Sequence, residues 1–147
     1  MLSCAGRNVK NLSPEEKPHS RQDWILLRAA HFGILPSEAE KRDLLIREDT
    51  PFREEDEELK KEAALIWRDM CALCHGIDGD PSKSLLVEPK PKKLGGFAMR
   101  MGFFFGGDAM RTAIYKIIRD GKGRMPGFAQ KLSREQMWAM VRYLERM

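Results

Sequence analysis

A 147-residue chain with 42% apolar content fits one globular domain plus an appendage. Its longest apolar stretch, residues 24–35, is interrupted by Arg28 and His31 and is too short to span a bilayer, and its three cysteines are too few for a disulfide framework. The net charge of +4 divides into −4 over residues 1–58 and +8 over residues 59–147, which suggests two functional units joined at the acidic run 54–58.

The chain opens without a basic region leading into an apolar one, so an exported protein of this sequence has shed or lacks its secretory signal. Met1-Leu2-Ser3-Cys4-Ala5 looks like the tail of a lipoprotein signal, which makes Cys4 a candidate lipid anchor, with a free thiol near a disordered end as the alternative. Residues 1–19 are polar, carry Pro14 and Pro18 and show no helical period, so they read as a tether. Ser20 is placed to cap a short helix reaching about His31. Gly33 and Pro36 break it, and Ser37 with Glu40 predicts a capping box for a second helix to about Glu48. Residues 1–58 contain too few apolar side chains for a core of their own. Trp24, Leu27, Leu44 and Leu45 are expected to be covered by the second unit or by a partner.

Residues 59–147 read as three helices around a long loop. Leu59, Ala63, Ile66, Trp67 and Met70 recur at helical spacing and carry a helix into Cys71. Met110, Ala113, Ile114, Ile117 and Ile118 predict a second helix, with Asp108 as N-cap and Gly121 beyond its end. Met137, Met140, Val141 and Leu144 predict a third, opened by a capping box of Ser133 and Gln136. Between the first two lies a loop of about 30 residues, rich in Gly, Pro and Lys. A loop that long in a compact domain calls for a reason, and a large cofactor filling the interior supplies one. The expected class is all-α.

Cys71-Ala72-Leu73-Cys74-His75 carries the chemistry. At the end of a helix, positions 71, 74 and 75 share one face. Two thiols there can add to the vinyl groups of a haem, with the adjacent imidazole under the iron; this is the attachment signal of haem c. A zinc site would need two more ligands at matching spacing, and His19 and His31 are distant in sequence. A thioredoxin-like dithiol would need strands, and none is predicted. Met125-Pro126 follows Gly121-Lys122-Gly123-Arg124 just past the second helix, where a thioether can reach the far side of the haem and complete a His/Met pair. The chain has nine methionines, and Met99, Met101 and Met110 compete with Met125, as does His31 for a bis-His site. Met125 is preferred because it lies in a Gly/Pro loop and not on a core stripe.

With these motifs in view, residues 60–147 resemble a small bacterial class I cytochrome c. The stretch Ala63-Ala64-Leu65-Ile66-Trp67 leading to Cys71-Ala72-Leu73-Cys74-His75-Gly76 is similar to the family's first helix and haem-binding site. Pro89-Lys90-Pro91-Lys92-Lys93-Leu94 resembles its proline loop, with Lys where Arg is common. Gly121-Lys122-Gly123-Arg124-Met125-Pro126-Gly127-Phe128 resembles its methionine loop, and the stretch from Leu132 to Leu144 its last helix. The resemblance implies that the first and last helices cross, with Ala63 as the small contact residue where glycine is frequent and Trp67 near Tyr143. It implies a proline carbonyl, from Pro81, Pro89 or Pro91, accepting from the second ring nitrogen of His75. Lys92, Lys93 and Arg124 are candidates to pair with haem propionates, against a plain solvated basic surface. The segment from Met99 to Gly107, with its three phenylalanines, is unusual, and reads as apolar cover for the haem edge or as an exposed docking patch. Residues 1–58 match nothing in the family.

The implied function is electron transfer by one covalent haem c, with no enzymatic reaction of its own, on the extracytoplasmic side of a bacterial membrane. The basic unit would meet an acidic redox partner or a larger membrane complex, similar to the lipid-anchored monohaem subunits of alternative complex III. The alternatives are a freely diffusing periplasmic shuttle, or a haem enzyme or gas sensor with a displaceable sixth ligand. Nucleic-acid binding is not expected, since the positive charge is spread over helices and loops without a recognition motif.

Overall fold

The computed structural model describes residues 21–84 and 88–147. Cys4, the tether 1–19 and the capping position Ser20 lie outside them.

The last helix, α6 (Arg134–Arg146), is the element on which the others gather. Met137, Trp138, Ala139, Met140, Val141 and Leu144 are all buried, which takes up far more than one stripe of its surface. A helix so enclosed must be covered on several sides. The helix α3 (Glu57–Ile66) packs across it, burying Leu59, Ala63 and Ile66, and Ala63 has no exposed surface at all. Asp56 opens α3, accepting the Leu59 N–H at 2.7 Å. A single wide π turn, Trp67–Cys71, continues the same rod, and one more α turn, α4 (Ala72–His75), ends it. Trp67 reaches Tyr143 of α6 with ring centroids 5.7 Å apart.

Another side of α6 is covered by α5 (Phe97–Asp120). This helix is broken at Gly107, whose φ of 51° and ψ of −137° lie outside anything a helix uses. The break bends Met110 back toward the first half, so that a Cβ on Gly106 would stand 2.6 Å from the Met110 Cβ. The second half begins about where the sequence places it, but Asp108 bonds Arg53 and Arg111. The first half, from Phe97, is helical where a loop of about 30 residues was expected; the irregular stretch therefore ends at Gly96. After α5 the chain turns through a short antiparallel hairpin, β1 (Gly121–Lys122) and β2 (Met125–Pro126), a small addition to an otherwise helical fold. Gly121 has φ +80°, and a Cβ there would meet the Met125 carbonyl oxygen at 2.4 Å. Ser133 then opens α6 with the expected capping box: its Oγ accepts the Gln136 N–H at 3.2 Å and its own N–H reaches Gln136 Oε1 at 3.0 Å.

The extension packs onto this core. Its helices are α1 (Arg21–Phe32) and α2 (Pro36–Leu45). The second starts before Ser37: Pro36 occupies the first turn, and the Leu35 N–H donates to Glu38 Oε2 at 3.1 Å, so Glu38 does what Glu40 was expected to do. It also stops at Leu45, three residues before Glu48, because residues 46–49 are drawn out to meet the core. The Trp138 indole N–H donates to the Arg47 carbonyl at 3.0 Å, and the Arg134 guanidinium donates to the Leu44 and Ile46 carbonyls. Glu48 takes a hydrogen bond from the Tyr115 hydroxyl at 3.3 Å and pairs with Arg119 at 2.7 Å. Tyr115 stacks on Trp138, ring centroids 4.3 Å apart. Asp43, itself buried, accepts the Arg134 N–H at 2.7 Å at the start of α6, a favourable place for a negative charge. Trp24 and Ile46 join the main core, whereas Leu44 and Leu45 remain exposed.

Arg28 of α1 fixes the remaining contact. It is 4% exposed, and its guanidinium meets Glu135 of α6 at 3.3 Å, Glu62 of α3 at 3.4 Å and Asp56 at 3.4 Å. Burial works against the charge of Arg28, but Glu62 and Glu135 outweigh it, so its pKa stands above the ordinary arginine value. On Glu62 burial wins over the attraction of Arg28, and its carboxyl pKa stands above the usual carboxylate range.

Two consequences are testable by denaturant titration. Arg28→Ala removes the counter-charge shared by Asp56, Glu62 and Glu135 and should cost about 3 kcal/mol at neutral pH. Because the Glu62 carboxyl titrates higher in the folded chain than in the unfolded one, it favours folding below the unfolded pKa and loses that contribution as pH rises through the folded value. The Arg28→Ala penalty should therefore shrink as pH falls through that window. Gly121→Ala should cost about 2 kcal/mol, from the left-handed backbone and the clash with the Met125 carbonyl together.

Candidate functional site

Cys71 and His75, from one rod, and Met125, from a distant loop, line one narrow cavity of about 30 Å³. The other lining residues are apolar: Ile66, Trp67, Leu94, Ile118, Phe128, Leu132, Met140 and Leu144. The α3–π–α4 rod supplies Cys71 and His75 with Ile66 and Trp67, the hairpin after α5 supplies Met125, and α5, α6, the loop at Leu94 and the stretch 128–132 complete the apolar wall.

Local structure explains each placement. The π turn offsets Cys71 from the α-helical register that precedes it, and Cys71 faces the cavity while Cys74, half-buried, is not among its lining residues. The two cysteines carry free thiols. Burial, and then the neighbouring Cys74, push the Cys71 thiol up to about 12, so it is protonated at neutral pH. His75 sits at the last position of α4, its ring centroid 6.1 Å from that of Trp67. Trp67 is itself fixed, donating its indole N–H to the Ile77 carbonyl at 2.8 Å. The following loop is held to the rod by Ser84, whose hydroxyl donates to the Leu73 carbonyl at 2.8 Å. Met125 is positioned by the Gly121 turn and is half-buried against the core.

Burial holds the His75 pKa below the ordinary histidine value, with the Lys92 backbone opposing it in part. The imidazole is therefore neutral at physiological pH, as a metal ligand must be. Its Nδ1 is buried and, among the described residues, makes no hydrogen bond of full geometry. The Lys92 backbone, one residue past Pro91, lies near enough to the ring to favour its protonated form.

The proposed propionate partners separate. Lys92 and Arg124 are exposed. Lys93 is engaged by Asp80 at 3.0 Å. The Asp80 carboxyl is held well below the usual carboxylate range, first by the Ser82 backbone N–H and then by Lys93. Of the competing methionines, Met99 and Met110 pack on the hydrophobic core and none of the three lines the cavity. His31 lies exposed on α1. Leu94, Phe128 and Leu132 were not singled out from sequence; the signal for the last two was their place beside the methionine loop.

The donor set fits a haem better than a bare ion. Among the described residues no three His, Cys, Asp or Glu side chains gather as a zinc site requires. One imidazole and one thioether on a shared apolar cavity, with two thiols on the helix that carries the imidazole, match the needs of an iron porphyrin. No helix among the described residues is long and apolar enough to cross a membrane.

A comparison with curated proteins gives no match. The family model described as cytochrome c oxidase, cbb3-type, subunit III matches residues 58–144. That match covers both the 71–75 segment and Met125, and the domain it describes is a class I cytochrome c fold that binds covalent haem c and carries electrons. The chain belongs to this family of c-type cytochrome domains.

Proposed function

We propose that the chain is a monohaem electron carrier whose iron is held by His75 and Met125, with Cys71 and Cys74 as the attachment thiols. The observation that carries this reading is the convergence of Cys71, His75 and Met125 on one apolar cavity. The haem, when bound, supplies a one-electron change at iron, and the protein's part is to set its potential and docking. Neutral His75 offers a lone pair. The apolar wall from Ile66 to Leu144 excludes water, which with a thioether ligand favours the reduced state and raises the potential. Lys92 and Arg124 are the exposed cations best able to meet propionates, with Lys93 shared by Asp80.

The proposed setting is the extracytoplasmic face of a bacterial membrane, as a subunit or docked partner of a respiratory electron-transfer complex. Residues 1–58 are assigned to attachment there and residues 59–147 to the redox domain. Exposed Leu44 and Leu45 support this, together with a groove between α2 and the strap that follows it, floored by Leu45, Ile46, Pro51 and Phe52. Lipidation of Cys4 would add a foothold that a single acyl chain makes only marginal.

Optical spectra of the purified protein test the ligand set. The reduced wild type should be unchanged by carbon monoxide. Met125→Ala should lose the weak long-wavelength band of a thioether-ligated ferric haem, gain a carbon monoxide complex and fall in midpoint potential. A wild type that binds carbon monoxide readily would favour the enzyme or gas-sensor reading. Cys71→Ala combined with Cys74→Ala should abolish haem that survives acid–acetone extraction, measured by pyridine haemochrome; undiminished covalent haem would remove these thiols from the assignment.

A further inference from the structure

The first half of α5 presents a ridge of phenyl rings. Phe97, Phe104 and Phe105 are 78%, 77% and 78% exposed, on a segment whose other face buries Phe103 to 2%. Positions 97, 101, 104 and 105 share one side of a helix, and Arg100 lies beside them. The ridge runs about 10 Å along the axis from Phe97 to Phe104. Phe104 and Phe105 touch each other edge to face, 5.2 Å between centroids. With about 200 Å² for a free phenylalanine, the three rings expose roughly 450 Å², at the size where an apolar patch marks an interaction site.

Charge distinguishes the occupants. Residues 89–107 contain Lys90, Lys92, Lys93 and Arg100 and no Asp or Glu. Glu88 and Asp80 engage Lys90 and Lys93, and Arg100 donates to the Met147 carbonyl at 3.4 Å. Lys92 is exposed, and the domain as a whole carries +8. A second copy laid ridge to ridge would bring two such positive domains together. A protein partner would need a groove matched to protruding rings. A fluid bilayer needs no such match, and its anionic headgroups suit Arg100 on the ridge helix and the net positive charge of the domain.

We infer that this ridge seats the domain on an anionic lipid surface, with Phe97, Phe104 and Phe105 entering the boundary between headgroups and acyl chains. The inference concerns a surface separate from the ligand cavity and does not need an acyl group on Cys4. The second half of the same helix supplies Ile118 to the cavity wall, so the seat would fix the redox domain, and not merely its extension, relative to the membrane.

The test uses the haem-loaded full chain carrying Cys4→Ser, so that no acyl chain contributes, with vesicles of phosphatidylcholine alone or of equal phosphatidylcholine and phosphatidylglycerol. The chain should co-sediment with the anionic vesicles, and less so as salt is raised. Replacing Phe97, Phe104 and Phe105 together by Ser should lower partitioning at least tenfold, with visible and far-ultraviolet spectra unchanged. Arg100→Glu alone should lower it by a smaller factor, a second reading should the triple variant fold poorly. Absence of binding to anionic vesicles at physiological salt would overturn the inference. So would equal binding by the triple serine variant, or a dimer in solution that the serine substitutions dissolve, since a second copy would then occupy the ridge.

Discussion

A carboxylate buried between two helices needs a cation, and in this protein Arg28 of α1 is the cation shared by Glu62 of α3 and Glu135 of α6, with Arg42 adding to Glu135 at 3.6 Å. The cost of desolvating such charges is recovered only when all partners are in place. The crossing of α3 and α6, which sets where the attachment rod points, thus carries a buried charge balance closed from outside the haem-binding segment. Asp43 repeats the pattern at the start of α6, and Glu48 repeats it beside the stacked Tyr115 and Trp138. The acidic extension and the basic domain meet through individual pairs of buried or half-buried groups, more than through a general attraction of −4 for +8.

The ligand cavity depends on that arrangement at one remove. His75 and Cys71 ride on a rod whose direction is set by α6, while Met125 hangs from a hairpin at the end of α5, which also packs on α6. The spacing of imidazole and thioether is therefore a property of helix packing. A domain of this size can fix two side chains across a cavity only if the segments bearing them share a rigid neighbour, and α6, buried around most of its circumference, is that neighbour.

Much of this was legible in the sequence because it is local. Cys71, Cys74 and His75 are neighbours in the chain, Ser133 and Gln136 form a cap within one turn, and the stripes of α3 and α6 follow the 3.6-residue period. What was not legible depends on distant partners. Ser37 and Glu40 satisfy the pattern of a capping box, yet Pro36 starts the helix earlier and Glu38 takes the cap. Residues 46–48 look helical until Trp138, Tyr115, Arg119 and Arg134 claim their carbonyls and carboxylate. The helix from Phe97 was obscured by its glycines, which usually signal a loop; here Gly102 and Gly106 make room for Met110 folding back at Gly107. The backbone of Lys92, facing His75, could not be told from its proline neighbours without the path of the loop.

The wide turn Trp67–Cys71 has a consequence for how this chain can change over evolutionary time. A π turn is one residue too many for an α-helix, and losing that residue would straighten the rod at little local cost. Each residue of an α-helix advances the azimuth by about 100° and the axis by about 1.5 Å. In the wide turn each residue advances less than this, so the extra residue is already absorbed: a single deletion that converts Trp67–Cys71 to an ordinary α turn would leave Cys71, Cys74 and His75 facing much as they do, whereas a deletion elsewhere in α3 would swing all three together. The rod is consequently free to change length by one residue at this turn and constrained elsewhere, where divergence should proceed by substitution.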